Sequence, residues 1–110
     1  MIIAVDFDGT ICADRFPEIG EPLFGAVESL KKMKENGYQL ILYTCREDSA
    51  KRLYLTEAVE FCRRLGLEFD AVNANVPGSP YEHLSQSRKP YADWYIDDKA
   101  IRPEWNAFFG

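Results

Sequence analysis

A chain of 110 residues can build one hydrophobic core, so residues 1–110 are expected to form a single domain. Hydrophobic residues at 46% and aromatic residues at 14% exclude a disordered polymer, and a net charge of −5 argues against the basic face that nucleic acid requires. No apolar run reaches membrane-spanning length, and the N-terminus is expected to enter a strand directly rather than a signal peptide, so no membrane partner is expected.

Ile2 to Val5 forms a short apolar run of the kind buried on both faces of a parallel sheet. Such a strand delivers the next residues to the carboxyl edge of the sheet, where open α/β sheets place their ligands. Asp6 and Asp8 are one strand period apart, so both carboxylates can reach the same side of that edge. Gly9 permits a tight turn that brings main-chain amides towards an anion. Two carboxylates crowded beside an apolar core repel each other and are costly to desolvate, and a hard divalent cation is the usual compensation. A bare Asp-x-Asp is most often a solvated turn. Here the pair belongs to the longer string Asp6-Phe7-Asp8-Gly9-Thr10-Ile11.

Residues 11–22 carry Pro17, Gly20 and Pro22 without periodicity and are expected to form a loop. Pro22 suits a helix start, with Phe24, Val27, Leu30, Met33 and Lys34 following at helical spacing until Asn36-Gly37. Leu40 to Tyr43 is a second buried strand ending at Thr44. Asp48 or Ser49 can cap the next helix, whose stripe of Leu55, Ala58, Val59, Cys62 and Leu65 stops at Gly66. Phe69 to Val72 is a third strand, and residues 73–88 are irregular with room for one short helix. Ala92 to Ile96 is a fourth strand, ending in Asp97-Asp98. Strands alternating with helices predict an α/β fold with a parallel sheet. Trp94 and Trp105 are expected to pack, and His83 to sit on the surface. Cys12, Cys45 and Cys62 are odd in number and contain no Cys-x-x-Cys pair, which points to free thiols in a reducing, cytoplasmic setting. Cys45 is read as a small buried hydrophobe.

Four motifs in one order, Val5-Asp6-Phe7-Asp8-Gly9-Thr10, Leu42-Tyr43-Thr44, Lys89-Pro90 and Tyr95-Ile96-Asp97-Asp98, span nearly the whole chain. In that order they resemble the motifs of the haloacid dehalogenase superfamily of phosphohydrolases. The resemblance implies a three-layer, Rossmann-like parallel sheet of about four strands in the order 4-1-2-3. With only a loop, a helix and a strand in residues 11–43, and few residues in 73–88, the chain is similar to capless members of that superfamily. It implies an Mg²⁺-dependent phosphatase. Asp6 would be the nucleophile that forms an aspartyl-phosphate, and Asp8 the general acid and then base. Asp6, the main-chain carbonyl of Asp8, and Asp97 with Asp98 would hold Mg²⁺. Thr44, Lys89 and the Gly9 turn would bind the phosphate. Arg46, two residues beyond Thr44, is a candidate for a second anionic group of the substrate.

A receiver-type phospho-acceptor domain uses similar groups, but there the acceptor Asp stands alone after a middle strand and the Lys follows the last strand. The order here favours the hydrolase. A phosphate-binding, non-catalytic module on the same fold has no residue in its favour. With no cap to enclose a ligand, either a macromolecular phosphorylated substrate or a homo-oligomer is expected to complete the site, with Phe16, Ile19, Tyr81 and Tyr91 available to either.

Overall fold

The computed structural model describes residues 1–84 and 88–100; Trp105 lies outside them. In chain order the elements are β1 (Ile2–Val5), β2 (Cys12–Arg15), β3 (Glu18–Pro22), α1 (Ala26–Glu35), β4 (Gln39–Leu42), α2 (Tyr54–Arg64), β5 (Ala71–Val72) and β6 (Trp94–Ile96). Strands β5, β4, β1 and β6 lie side by side in that order as a parallel sheet, and β2 pairs with β3 as a separate antiparallel hairpin. The fold is therefore α/β, as the alternation of strands and helices predicts.

The register brings the chemistry-bearing residues level with one another. Val5 stands opposite Leu42 on one side and Ile96 on the other, so Asp6, Tyr43 and Asp97 leave the sheet at the same edge. Strand alternation divides the core. Ile3, Val5, Leu40 and Leu42 face Val27 and Leu30 of α1 and Ala58 and Cys62 of α2, so both helices cover one face. Ile2, Ala4 and Ile41 face the other way, against Val76, with Tyr81 and Ala92 packed alongside. That second cover is irregular chain: among the described residues, none of the stretch 73–88 is helical.

The structure corrects several expectations. The stretch 11–22 is a hairpin, with a bulge between Cys12 and Asp14 that breaks the alternation a strand would otherwise show in sequence. Gly20 is required there because a Cβ would collide with the Ala13 carbonyl. Pro22 ends β3 opposite Cys12 rather than starting a helix; α1 begins three residues past Leu23, after Gly25 in the left-handed region at φ 78°. Phe24 consequently lies outside the helix and is fully exposed. Asp48 does cap α2, from a distance: its Oδ1 accepts from the Leu55 and Thr56 amides at 2.9 Å each. Trp94 is exposed because β6 is an edge strand whose residues are open to solvent.

Candidate functional site

At the carboxyl edge of the sheet a cavity of about 360 Å³ opens between the ends of β1, β4 and β6 and the hairpin. Asp6 and Asp8 follow β1, Thr44, Cys45 and Arg46 follow β4, and Asp97, Asp98 and Lys99 follow β6; Asp14 and Phe16 of the hairpin complete the wall. The groups after β1 and β4 arrive at the ends of buried strands, and those after β6 at the end of the exposed edge strand paired with β1, so the sheet fixes their positions.

One carboxylate oxygen from each of Asp6, Asp97 and Asp98 lies within 4.8 Å of the other two. Thr10 braces the group: its hydroxyl donates to Asp6 Oδ2 at 3.5 Å and accepts from the Asp98 amide at 3.1 Å. Burial, reinforced by the neighbouring Asp97 and Asp98 charges, pushes the Asp6 carboxyl up to about 6 despite a lowering hydrogen bond from the Phe7 amide. Asp6 thus keeps its proton to a higher pH than an ordinary carboxylate, and oxygen donors of this kind suit a hard divalent cation.

Asp8 points elsewhere. Its Oδ2 accepts from Arg46 Nε at 2.8 Å and its Oδ1 from Arg46 Nη2 at 2.9 Å, a two-pronged ion pair. The same guanidinium donates Nη2 to the Glu18 carbonyl at 3.1 Å, and Nη1 to the carbonyls of Pro17 and Tyr54 at 3.4 Å each. Its carbon lies 5.2 Å from the Phe7 ring centre and 5.0 Å from that of Phe16. Arg46 is 2% exposed. A guanidinium has five N–H donors, and here every one has a protein acceptor. The expectation that Arg46 meets an anionic group of the substrate is therefore corrected: no donor remains for one.

Two further expectations change. The Gly9 amide donates to the Cys12 carbonyl at 2.8 Å, so it is not offered to a phosphate. Gly9 is needed for another reason: its φ is 87°, and a Cβ there would collide with Asp98 Oδ2. Lys89 lies with its Nζ 4.6 Å from the Tyr95 ring centre and is not among the residues lining the cavity. Lys99 is. Its Nζ stands 3.4 Å from Asp98 and 3.6 Å from Asp14, so it bridges β6 and the hairpin. Lys99 follows the acidic pair directly, which is the one local signal that could have singled it out.

Thr44 is buried; its hydroxyl oxygen accepts from the Arg46 amide at 3.1 Å, and its own amide donates to Asn73 Oδ1 at 2.9 Å. The hydroxyl proton is left for a group in the cavity. Cys45 is exposed rather than buried, whereas Cys12 and Cys62 are buried thiols, pushed by burial to about 11 and about 12. His83 is on the surface as expected, beside Glu82. Asp14, Cys45 and Lys99 in the cavity lining, and Thr10 that braces the acids, are the site residues that sequence reasoning did not assign.

A solved structure of a conserved protein coded by a locus from Bacteroides thetaiotaomicron superimposes with a TM-score of 0.79 at 45% sequence identity, covering 99% of this chain and 86% of that one. No protein-family model and no curated protein matches the chain. Among the described residues, no helix is long and apolar enough to cross a membrane.

Proposed function

This chain belongs to the family of that conserved Bacteroides thetaiotaomicron protein, and we propose that it is an Mg²⁺-dependent phosphomonoesterase of the haloacid dehalogenase type, acting through an aspartyl-phosphate on Asp6. The observation that carries the proposal is the separation of two kinds of carboxylate within one cavity. Asp6, Asp97 and Asp98 converge on one point, while Asp8, two residues from Asp6, is held apart by Arg46. Paired carboxylates placed in different surroundings can take different roles.

Asp6, Asp97 and Asp98 would hold Mg²⁺, together with the main-chain carbonyl of Asp8 as the superfamily resemblance implies. The ion would neutralise the charge of a phosphate dianion so that a carboxylate can approach it. An Asp6 oxygen attacks phosphorus as the bond to the leaving oxygen breaks, and Asp8 supplies the proton that oxygen needs. Asp8 then takes a proton from water as the water attacks phosphorus, which releases inorganic phosphate and frees Asp6. Thr44 donates its hydroxyl to a phosphoryl oxygen. Lys99, the cavity cation whose donors are not fully enclosed by backbone carbonyls, balances another. Lys89 would have to leave the Tyr95 ring to take that place.

The hairpin supplies part of the wall that a cap provides in larger phosphohydrolases, through Asp14 and Phe16. Free thiols at Cys12, Cys45 and Cys62 are in keeping with a cytoplasmic enzyme. The test is a screen of sugar phosphates, nucleotides, phosphopeptides and aryl phosphates with and without Mg²⁺. Turnover should require Mg²⁺, vanish in Asp6→Asn, and leave a phosphorylated Asp6 trapped on rapid acid quench. Undiminished turnover in Asp6→Asn would reject the assignment.

A further inference from the structure

Arg46 is an unusual use of a buried charge. A guanidinium taken out of water is costly unless its partners are well placed, and removing one partner from such a pair is strongly destabilising. This one has five: both oxygens of Asp8, the carbonyls of Pro17 and Glu18 in the hairpin, and that of Tyr54 at the start of α2. It thus touches three segments: the end of β1, the hairpin and the start of α2. The hairpin and α2 are also tied to each other independently: Arg52 pairs with Glu18 at 2.8 Å and with Glu57 of α2 at 2.9 Å, and the Phe16 and Tyr54 rings lie 5.4 Å apart.

From this geometry we infer that Arg46 is the positioning residue of the site: it fixes the Asp8 carboxylate and the hairpin wall as one unit and does not bind the phosphate. A carboxylate on a strand end can adopt several rotamers. Two parallel N–H···O contacts reduce Asp8 to one, and leave each of its oxygens a second lone pair for the reacting groups. The hairpin has the same need. It is a two-stranded ribbon, and such ribbons are marginal by themselves. Its hydrogen bonds with Arg46 are to backbone carbonyls, so they fix the path of the chain at Pro17 and Glu18 whatever side chains those positions carry. The wall residues Asp14 and Phe16 and the acid–base residue Asp8 thereby share one support. Orientation of this kind is worth orders of magnitude in rate when lost.

The inference rests on the phosphatase proposal, and the experiment separates the two. The variants are Arg46→Lys, Arg46→Met, Asp8→Asn and the pair Asp8→Asn with Arg46→Met. They are assayed with 4-nitrophenyl phosphate and Mg²⁺, with inorganic phosphate as competing ligand, and by amide hydrogen exchange across residues 13–20. Arg46→Met should lower kcat by about 100-fold, the scale of one acid–base group. The inhibition constant of phosphate should stay within about threefold, as for loss of an interaction that does not hold the ground state. In the Asp8→Asn background the same change should cost less than about threefold more, since residues that act through one another are not additive. Arg46→Lys keeps a charge without the fork and should recover part of the rate, which guards against a Met variant that does not fold. A phosphate constant that rises as steeply as kcat falls would make Arg46 a phosphate ligand and overturn the inference. So would an Arg46→Met loss that multiplies the Asp8→Asn loss in full, the mark of general damage. If the wild type shows no Mg²⁺-dependent turnover on any phosphate ester, the phosphatase proposal fails by itself. The exchange data then decide: faster exchange over residues 13–20 in both Arg46→Lys and Asp8→Asn supports the shared support, and unchanged exchange overturns it.

Discussion

The burial of Asp6 beside two other acids makes the metal-free protein pH-dependent in a direction opposite to that of most carboxylates, and the effect can be sized. Its carboxyl moves from 3.8 to about 6 on folding, chiefly through burial, with Asp97 and Asp98 adding to it. Between those values the folded chain binds more protons at Asp6 than the unfolded chain does, so its stability falls as pH rises through the window and levels off above it. At about 1.4 kcal/mol per unit the ceiling would be about 3 kcal/mol. Asp6 is only half-buried, and solvent screening brings the expectation to about 1–2 kcal/mol. Other acids blur a direct scan, because Glu18, Asp48, Glu57 and Asp98 are held below their usual range and lose their contribution as pH falls. The clean quantity is therefore the difference between wild type and Asp6→Asn, measured by urea unfolding in chelator from pH 4 to 7.5. The wild type should lose about 1–2 kcal/mol relative to the variant over that range, or several degrees in Tm for a domain of this size. Adding Mg²⁺ should reverse the trend, with its stabilisation growing as pH rises because ligation displaces the proton. A difference that is flat with pH, or that grows in favour of the wild type in chelator, would refute the argument from burial and crowding.

Other substitutions examine separate parts of the site. Gly9→Ala should cost about 1–2 kcal/mol from its left-handed backbone alone, and should weaken Mg²⁺ binding as well by displacing Asp98; urea unfolding and a Mg²⁺ titration read the two effects apart. Lys99→Met should raise the inhibition constant of phosphate about tenfold, the scale of one charge-assisted contact, while Lys89→Met should change it far less; competition against an aryl phosphate decides, and the reverse order would restore Lys89 to the phosphate. Asp48→Ala should loosen the first turn of α2, seen as lower helicity and faster exchange of the Leu55 and Thr56 amides, with no change in Mg²⁺ affinity.

What was legible in the sequence is what is local. The apolar runs at Ile2–Val5 and Leu40–Tyr43 announce buried strands, found at Ile2–Val5 and Gln39–Leu42, and the acids and threonine that follow them reach the sheet edge by strand geometry alone. The hairpin was not legible because its bulge destroys the period of two and its prolines and glycine look like loop punctuation. Trp94 was misjudged for a related reason: an apolar residue in a strand is buried only if something covers that strand, and β6 lies at the edge.

Arg46 illustrates the deeper limit. Nothing in the string Thr44-Cys45-Arg46 separates an arginine that faces substrate from one that faces Asp8, because the distinction lies in residues 28 to 38 positions away. A motif identifies which groups a site contains. Which of them face each other depends on where the hairpin returns, and it returns so that Pro17 and Glu18 offer their carbonyls to the same guanidinium that holds Asp8. That pairing leaves the site with two differently treated carboxylates two residues apart, one crowded among acids and one matched to a cation. The nucleophile and the acid–base residue of the proposed reaction are thus distinguished by an arginine that reasoning from the motif alone would have assigned to the substrate.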